Sequence, residues 1–257
     1  MPLDILLKSL IAGILASLAC GLGALPLLLK RIDLSKHTGL GYGFAGGLML
    51  AASVYNLILP GLTMTQQTLT LAHVLPVLLG IWAGCAFLWL TDIFLNEERL
   101  NQTSWKRWGG RAEILIFLAM AVHSIPEGVA VGVGYASQEV YDNELGAYIA
   151  LAIGIHNIPE GLAVAIPLRA AGASIMKCFW AAVLTSLPQP IAAVPAALAS
   201  WFFQPLMPVL MGFAAGAMLF LILLELIPEA LHHEQPRRIA WSFMLGFGFI
   251  LLIQVVL

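Results

Sequence analysis

His123-Ser124-Ile125-Pro126-Glu127-Gly128-Val129-Ala130-Val131 returns as His156-Asn157-Ile158-Pro159-Glu160-Gly161-Leu162-Ala163-Val164, identical in seven of nine positions. Each copy begins about eleven residues into an apolar run, 112–136 for the first and 145–168 for the second. In each copy His and Glu are four residues apart, so a helix sets them one turn apart on one face. With a rise of about 1.5 Å per residue, both pairs fall near the middle of a hydrocarbon layer about 30 Å thick. An acidic side chain at that depth costs roughly 2.5–3.5 kcal/mol on insertion scales. It normally faces the bundle interior, finds a partner and marks an ion or proton path.

The chain around these two runs is of the same kind. Of its 257 residues 60% are hydrophobic and only 10% charged, against about 25% charged in soluble domains. Six further runs, 3–29, 40–62, 71–95, 176–203, 206–231 and 239–257, are long enough to cross a bilayer. The expected fold is an all-α membrane protein of eight transmembrane helices, one domain over 1–257 with no soluble domain. The longest connection, Asn96 to Arg111, has no His, so no metal-sensing loop is expected there. The net charge of −2 and the absence of a basic stripe exclude a nucleic-acid partner. Cys20, Cys85 and Cys178 lie far apart in apolar surroundings and read as small apolar residues. The run 3–29 exceeds a signal-peptide core and ends at Lys30 and Arg31, so it reads as a span that is kept.

Lys and Arg are retained on the cytoplasmic side of a membrane. Eleven of the twelve fall in alternate connections: Lys30, Arg31 and Lys36; Arg99, Lys106, Arg107 and Arg111; Arg169 and Lys177; Arg237 and Arg238. Only Lys8 lies elsewhere. Both termini are therefore expected on the non-cytoplasmic side of a multi-pass protein in the cell membrane, plasma or inner. Successive spans run in opposite directions, so the two His motifs are inverted copies. A weaker echo pairs Gly43-Phe44-Ala45-Gly46-Gly47-Leu48-Met49 with Gly212-Phe213-Ala214-Ala215-Gly216-Ala217-Met218. Inverted repeats with a site at the midplane are a construction of many secondary transporters.

No Lys or Arg lies at the depth of Glu127 and Glu160, so a bound cation is the economical partner. Imidazole and carboxylate without thiolate suit zinc, iron, manganese, cobalt or nickel better than copper(I), calcium or magnesium. Pro126 and Pro159 leave the carbonyls of Val122 and Ile155 without their helical donors. Those oxygens are expected to turn to water, a neighbouring helix or the ion. Gly128 and Gly161 allow helices to approach closely.

These paired motifs, with eight spans and outward termini, resemble the ZIP family of zinc and iron transporters, particularly its bacterial and GufA-like members. The resemblance implies a central metal site between spans 4 and 5, lined by His123, Glu127, His156 and Glu160, with Met49 of span 2 as a soft ligand. It also implies a second metal position sharing the two glutamates. There Asn157 fits, whereas Ser124 and Gln189 stand where the family carries Asn and Glu, so a second ion is left open. Asp92, Glu225, Glu229, His232 and His233 stand at the depth of cytoplasmic exit ligands, and Asn56 on the outer approach.

The expected function is transport of divalent metal ions into the cytoplasm by alternating access. Zinc comes first, with iron, manganese, cobalt and cadmium behind it. The partners are the metal and the lipid bilayer, with a homodimer as the assembly to test, and no enzyme cofactor is expected. No Walker pattern supplies an ATP-driven step. The rival expectation is an intramembrane zinc hydrolase using the same ligands; the His-Glu-x-x-His string such a site usually shows is absent.

Overall fold

The computed structural model describes residues 2–28, 38–63, 70–95, 111–141, 144–170 and 172–256. Among them the chain is helical almost throughout, with no strand. It forms eight rods: α1 (Pro2–Leu22), α2 (Thr38–Ala52, continued by Ser53–Ile58 and Leu59–Thr63), α3 (Leu71–Leu95), α4 (Arg111–Tyr141), α5 (Leu145–Ala170), α6 (Ile175–Thr185, resuming as Pro188–Phe202), α7 (Met207–Leu221, continued by Ile222–Leu226 and Ile227–His233) and α8 (Pro236–Val256). By length and composition six of them can cross a membrane, and α4 and α8 have the length, 31 and 21 residues. Leu29, Lys30, Arg31, Lys36, Arg99, Lys106, Arg107, Asp142, Leu257 and the His-free connection 96–110, on which much of the expected orientation rests, lie outside the described residues.

Large apolar side chains point outward, among them Leu3, Trp82, Trp89, Leu223, Trp241 and Leu245. Lipid tails are as apolar as leucine, so nothing drives these residues inward. Small and polar residues are gathered inside, beside large apolar ones such as Leu48, Met49 and Ile153. Glycines seal four helix pairs: a Cβ on Gly80 or Gly84 of α3 would fall on the carbonyls of Val209 and Phe213 of α7, and one on Gly212 or Gly216 of α7 on those of Val77 and Ile81. The α2–α8 contact repeats this through Gly47 and Gly246, the α4–α6 contact through Gly128 and Gly132, and the α1–α5 contact through Gly23 and Gly161. The rods fall into two groups on these contacts, α1, α4, α5 and α6 in one and α2, α3, α7 and α8 in the other. The groups meet where α4 touches α7 and α5 touches α2.

An exchange of α2 with α7, α3 with α8, α4 with α5 and α1 with α6 maps this set of sealed pairs onto itself, as an inverted repeat demands. A second sign is local. The stretches Ser53–Ile58 and Ile222–Leu226 are π-helical, and each begins ten residues after the first glycine of its echo, Gly43 or Gly212. Asn56 and Glu225 are the fourth residues of these two turns. A π turn is rare and usually sits where a function needs a widened helix.

Pro126 and Pro159 each remove one helical donor, yet neither ends its helix: α4 and α5 run unbroken from Arg111 to Tyr141 and from Leu145 to Ala170. Flanking turns keep their hydrogen bonds, and one missing donor does not end a helix packed on both sides. The real break is in α6, at the Ser186–Leu187 turn before Pro188. Hydroxyls cap the loosened carbonyls: Ser17 donates to Ser186 O at 2.7 Å and Ser124 to Thr185 O at 3.2 Å.

Candidate metal centre

Helical spacing puts His123 and Glu127 on one face of α4, and His156 and Glu160 on one face of α5. The two helices pack against each other, and the four side chains are buried, His156 completely and Glu127, Glu160 and His123 to 1%, 3% and 6% exposure. One ligand atom from each of Glu127, His156 and Glu160 lies within 4.8 Å of the others. His156 Nε2 is 3.1 Å from Glu127 Oε1. Glu127 Oε2 accepts a hydrogen bond from Gln189 Nε2. Among the described residues Glu160 Oε1 and the Nδ1 atoms of both histidines have no hydrogen-bond partner. Two buried carboxylates with no Lys or Arg paired to them among the described residues repel each other, and an orphaned buried carboxylate oxygen is costly. Two carboxylate oxygens and an imidazole nitrogen at this spacing fit a divalent transition metal, which removes both penalties.

His123 does not join the group of three. Its Nε2 faces Glu225 Oε1 at 3.3 Å. Both border a cavity of about 380 Å³ that runs from Glu160 past Tyr42 to Glu229 and His232. The cavity thus links buried Glu160 with the C-terminal end of α7. Glu229 also pairs with His233 at 3.0 Å on the exposed face. Asp92 is exposed on α3 and takes no part in the ligand group or the cavity lining. Asn56 is buried in the π turn of α2, and Met49 is fully buried in the apolar core.

The residues expected around a second ion are bonded to protein. Ser124 donates to the carbonyls of Met120 and Thr185, at 3.1 and 3.2 Å. Asn157 Nδ2 lies 3.0 Å from Ala16 O and 3.1 Å from Gln189 Oε1. Sequence reasoning missed Tyr42, the π turns and the bond from Gln189 to Glu127. The turns had a signal, since extending the Gly43 and Gly212 echo brings Asn56 into register with Glu225. The amide bond had none, because it depends on where α6 breaks.

The model of the family described as ZIP zinc transporter matches residues 96–254. The chain is 35% identical over 260 residues to zinc transporter GufA of Myxococcus xanthus, covering 96% of this chain and 98% of that one. It is 32% identical over 253 residues to zinc transporter ZIPB of Bordetella bronchiseptica, covering 97% and 81%. It is 39% identical over 163 residues to zinc transporter ZIP11 of Homo sapiens, covering 62% and 46%.

Proposed function

Since this chain belongs to the ZIP family of zinc transporters, we propose that the divalent metal it transports is Zn²⁺, held by Glu127, Glu160 and His156 on its way into the cytoplasm. The protein is a multi-pass membrane transporter of divalent metal ions and not an enzyme. The observation that carries the ligand assignment is the convergence of three buried donor atoms within 4.8 Å from two antiparallel helices. Borderline-soft Zn²⁺ accepts this mix of nitrogen and oxygen at low coordination number.

The cavity gives the site a direction. It leads to the end of α7 that Arg237 and Arg238 follow, the end assigned to the cytoplasm by retained positive charge. His123 and Glu225 stand at its inner end and pass the ion toward Glu229 and His232; Met49 and Asn56 belong to the other approach, and Asp92 and His233 are peripheral. With both termini outside the cytoplasm, this is the inward-open form of an alternating-access carrier in the cell membrane. Residues 1–257 act as one transmembrane unit, and pairing of two copies is an assembly to be read from the mass of the purified protein. The hydrolase alternative has no support among the relatives, which are named as transporters.

Zn²⁺ uptake into proteoliposomes tests the proposal. Wild type should accumulate Zn²⁺, and Glu127→Ala and Glu160→Ala should fall to the level of empty vesicles. Uptake that survives loss of both carboxylates would sink it.

A further inference from the structure

The break in α6 delivers one amide to the buried carboxylates. Gln189 lies between Pro188 and Pro190, just after the Ser186–Leu187 turn, and has no exposed surface. Its orientation is dictated from the far side of the bundle. The Ala16 carbonyl on α1 can only accept, so the part of Asn157 that lies 3.0 Å from it is the NH₂ group. That NH₂ also donates to Gln189 at 3.1 Å, which must therefore present its oxygen. The Gln189 NH₂ is left facing Glu127 and donates to Oε2. One oxygen of Glu127 is thus held by a neutral protein donor. The other, Oε1, faces His156, which belongs with Glu127 and Glu160 to the group of three.

Gln189 has little freedom to withdraw. A Cβ on Gly128 would fall on the Gln189 carbonyl, and one on Gly13 would come within 2.7 Å of Pro190 Cα. Ser17 and Ser124 tie down the carbonyls of Ser186 and Thr185, three and four residues before it. Asn157, the amide bonded to Gln189, leaves its Oδ1 without a partner among the described residues, and one amide oxygen does not hold a divalent ion.

We propose that Gln189 is a positioning residue of the metal site: it holds Glu127 as a one-oxygen ligand turned toward Glu160 and closes its far side, so that Glu127 serves a single ion. A carboxylate with two free oxygens can chelate one ion through both or bridge two. Glu127, with Oε2 taken, does neither. The proposal rests on Glu127, His156 and Glu160 being the ligands.

Counting Zn²⁺ bound to the purified full chain in detergent separates the two claims. Glu127→Ala should lose one ion per chain relative to wild type. A loss of two would make Glu127 a bridging ligand and overturn the role of Gln189; a loss of none would instead sink the ligand assignment. Gln189→Glu sets a second carboxylate against Glu127 and should gain one ion per chain. Gln189→Leu should keep the count but lower the visible absorption of bound Co²⁺ about two-fold as Glu127 becomes a two-oxygen ligand and the coordination number rises. A wild-type Co²⁺ spectrum in that variant overturns the proposal. Should Gln189→Leu not fold, an unchanged count in Gln189→Glu does the same.

Discussion

On α5 the histidine of the motif, His156, is fully buried and reaches across to Glu127, whereas on α4 its counterpart His123 turns away to Glu225 of α7. The glutamates differ in the opposite sense. Glu127 has both oxygens engaged, by His156 and Gln189, while Glu160 has an oxygen without a partner and borders the cavity. On the proposed reading two nearly identical strings hold different posts: α4 supplies the anchored carboxylate and the histidine of the path, α5 the histidine of the site and the carboxylate that meets the path. An inverted repeat that kept its symmetry at the site would leave it equally open or equally closed on both sides. Alternating access needs each state to be open on one.

The largest effects should come from the carboxylates. Loss of either glutamate is expected to cut Zn²⁺ affinity more than about 100-fold, since even outer partners of a metal ligand are worth 10–100-fold; titration of purified variants measures it. The histidines should then separate, with His156→Ala weakening binding about 10–100-fold and His123→Ala by less. Equal losses would erase the distinction between site and path.

Smaller effects probe the scaffold on each side. Gly161→Ala and Gly128→Ala force a methyl onto the carbonyls of Cys20 and Gln189, and each should destabilise the protein by about 1–3 kcal/mol, read from thermal unfolding in detergent. Gly154 has nothing within 4 Å of an added Cβ, so Gly154→Ala should be neutral or stabilising by up to about 1 kcal/mol. The two π turns give the finest test. Glu225→Cys, at a site with 37% side-chain exposure, should react with a polar thiol reagent from the cytoplasmic face. Asn56→Cys, at a position only 3% exposed, should be protected in the same state. Equal labelling would mean that the two turns are not in opposite states.

Much of this was legible in the residues. Apolar runs of sufficient length marked the rods, and the limits of α3, 71–95, agree with the structure to the residue. The motif spacing placed His and Glu on one face of each helix, because that depends only on the helical period. The place of the break was not legible: Pro126 and Pro159 leave α4 and α5 continuous, while α6 opens at Ser186 and Leu187, where hydroxyls from α1 and α4 can satisfy the freed carbonyls.

The sequence by itself determined the class of the molecule, the spacing that sets His and Glu on one helix face and the kind of ion that suits them, since hydropathy, helical period and donor chemistry are properties of short segments. Only the tertiary structure decided which His joins the two carboxylates, which one turns to Glu225, and that Gln189 takes an oxygen of Glu127. Those outcomes depend on how four helices from distant parts of the chain meet in space. A repeat of nine residues carries no record of which neighbour each copy will find.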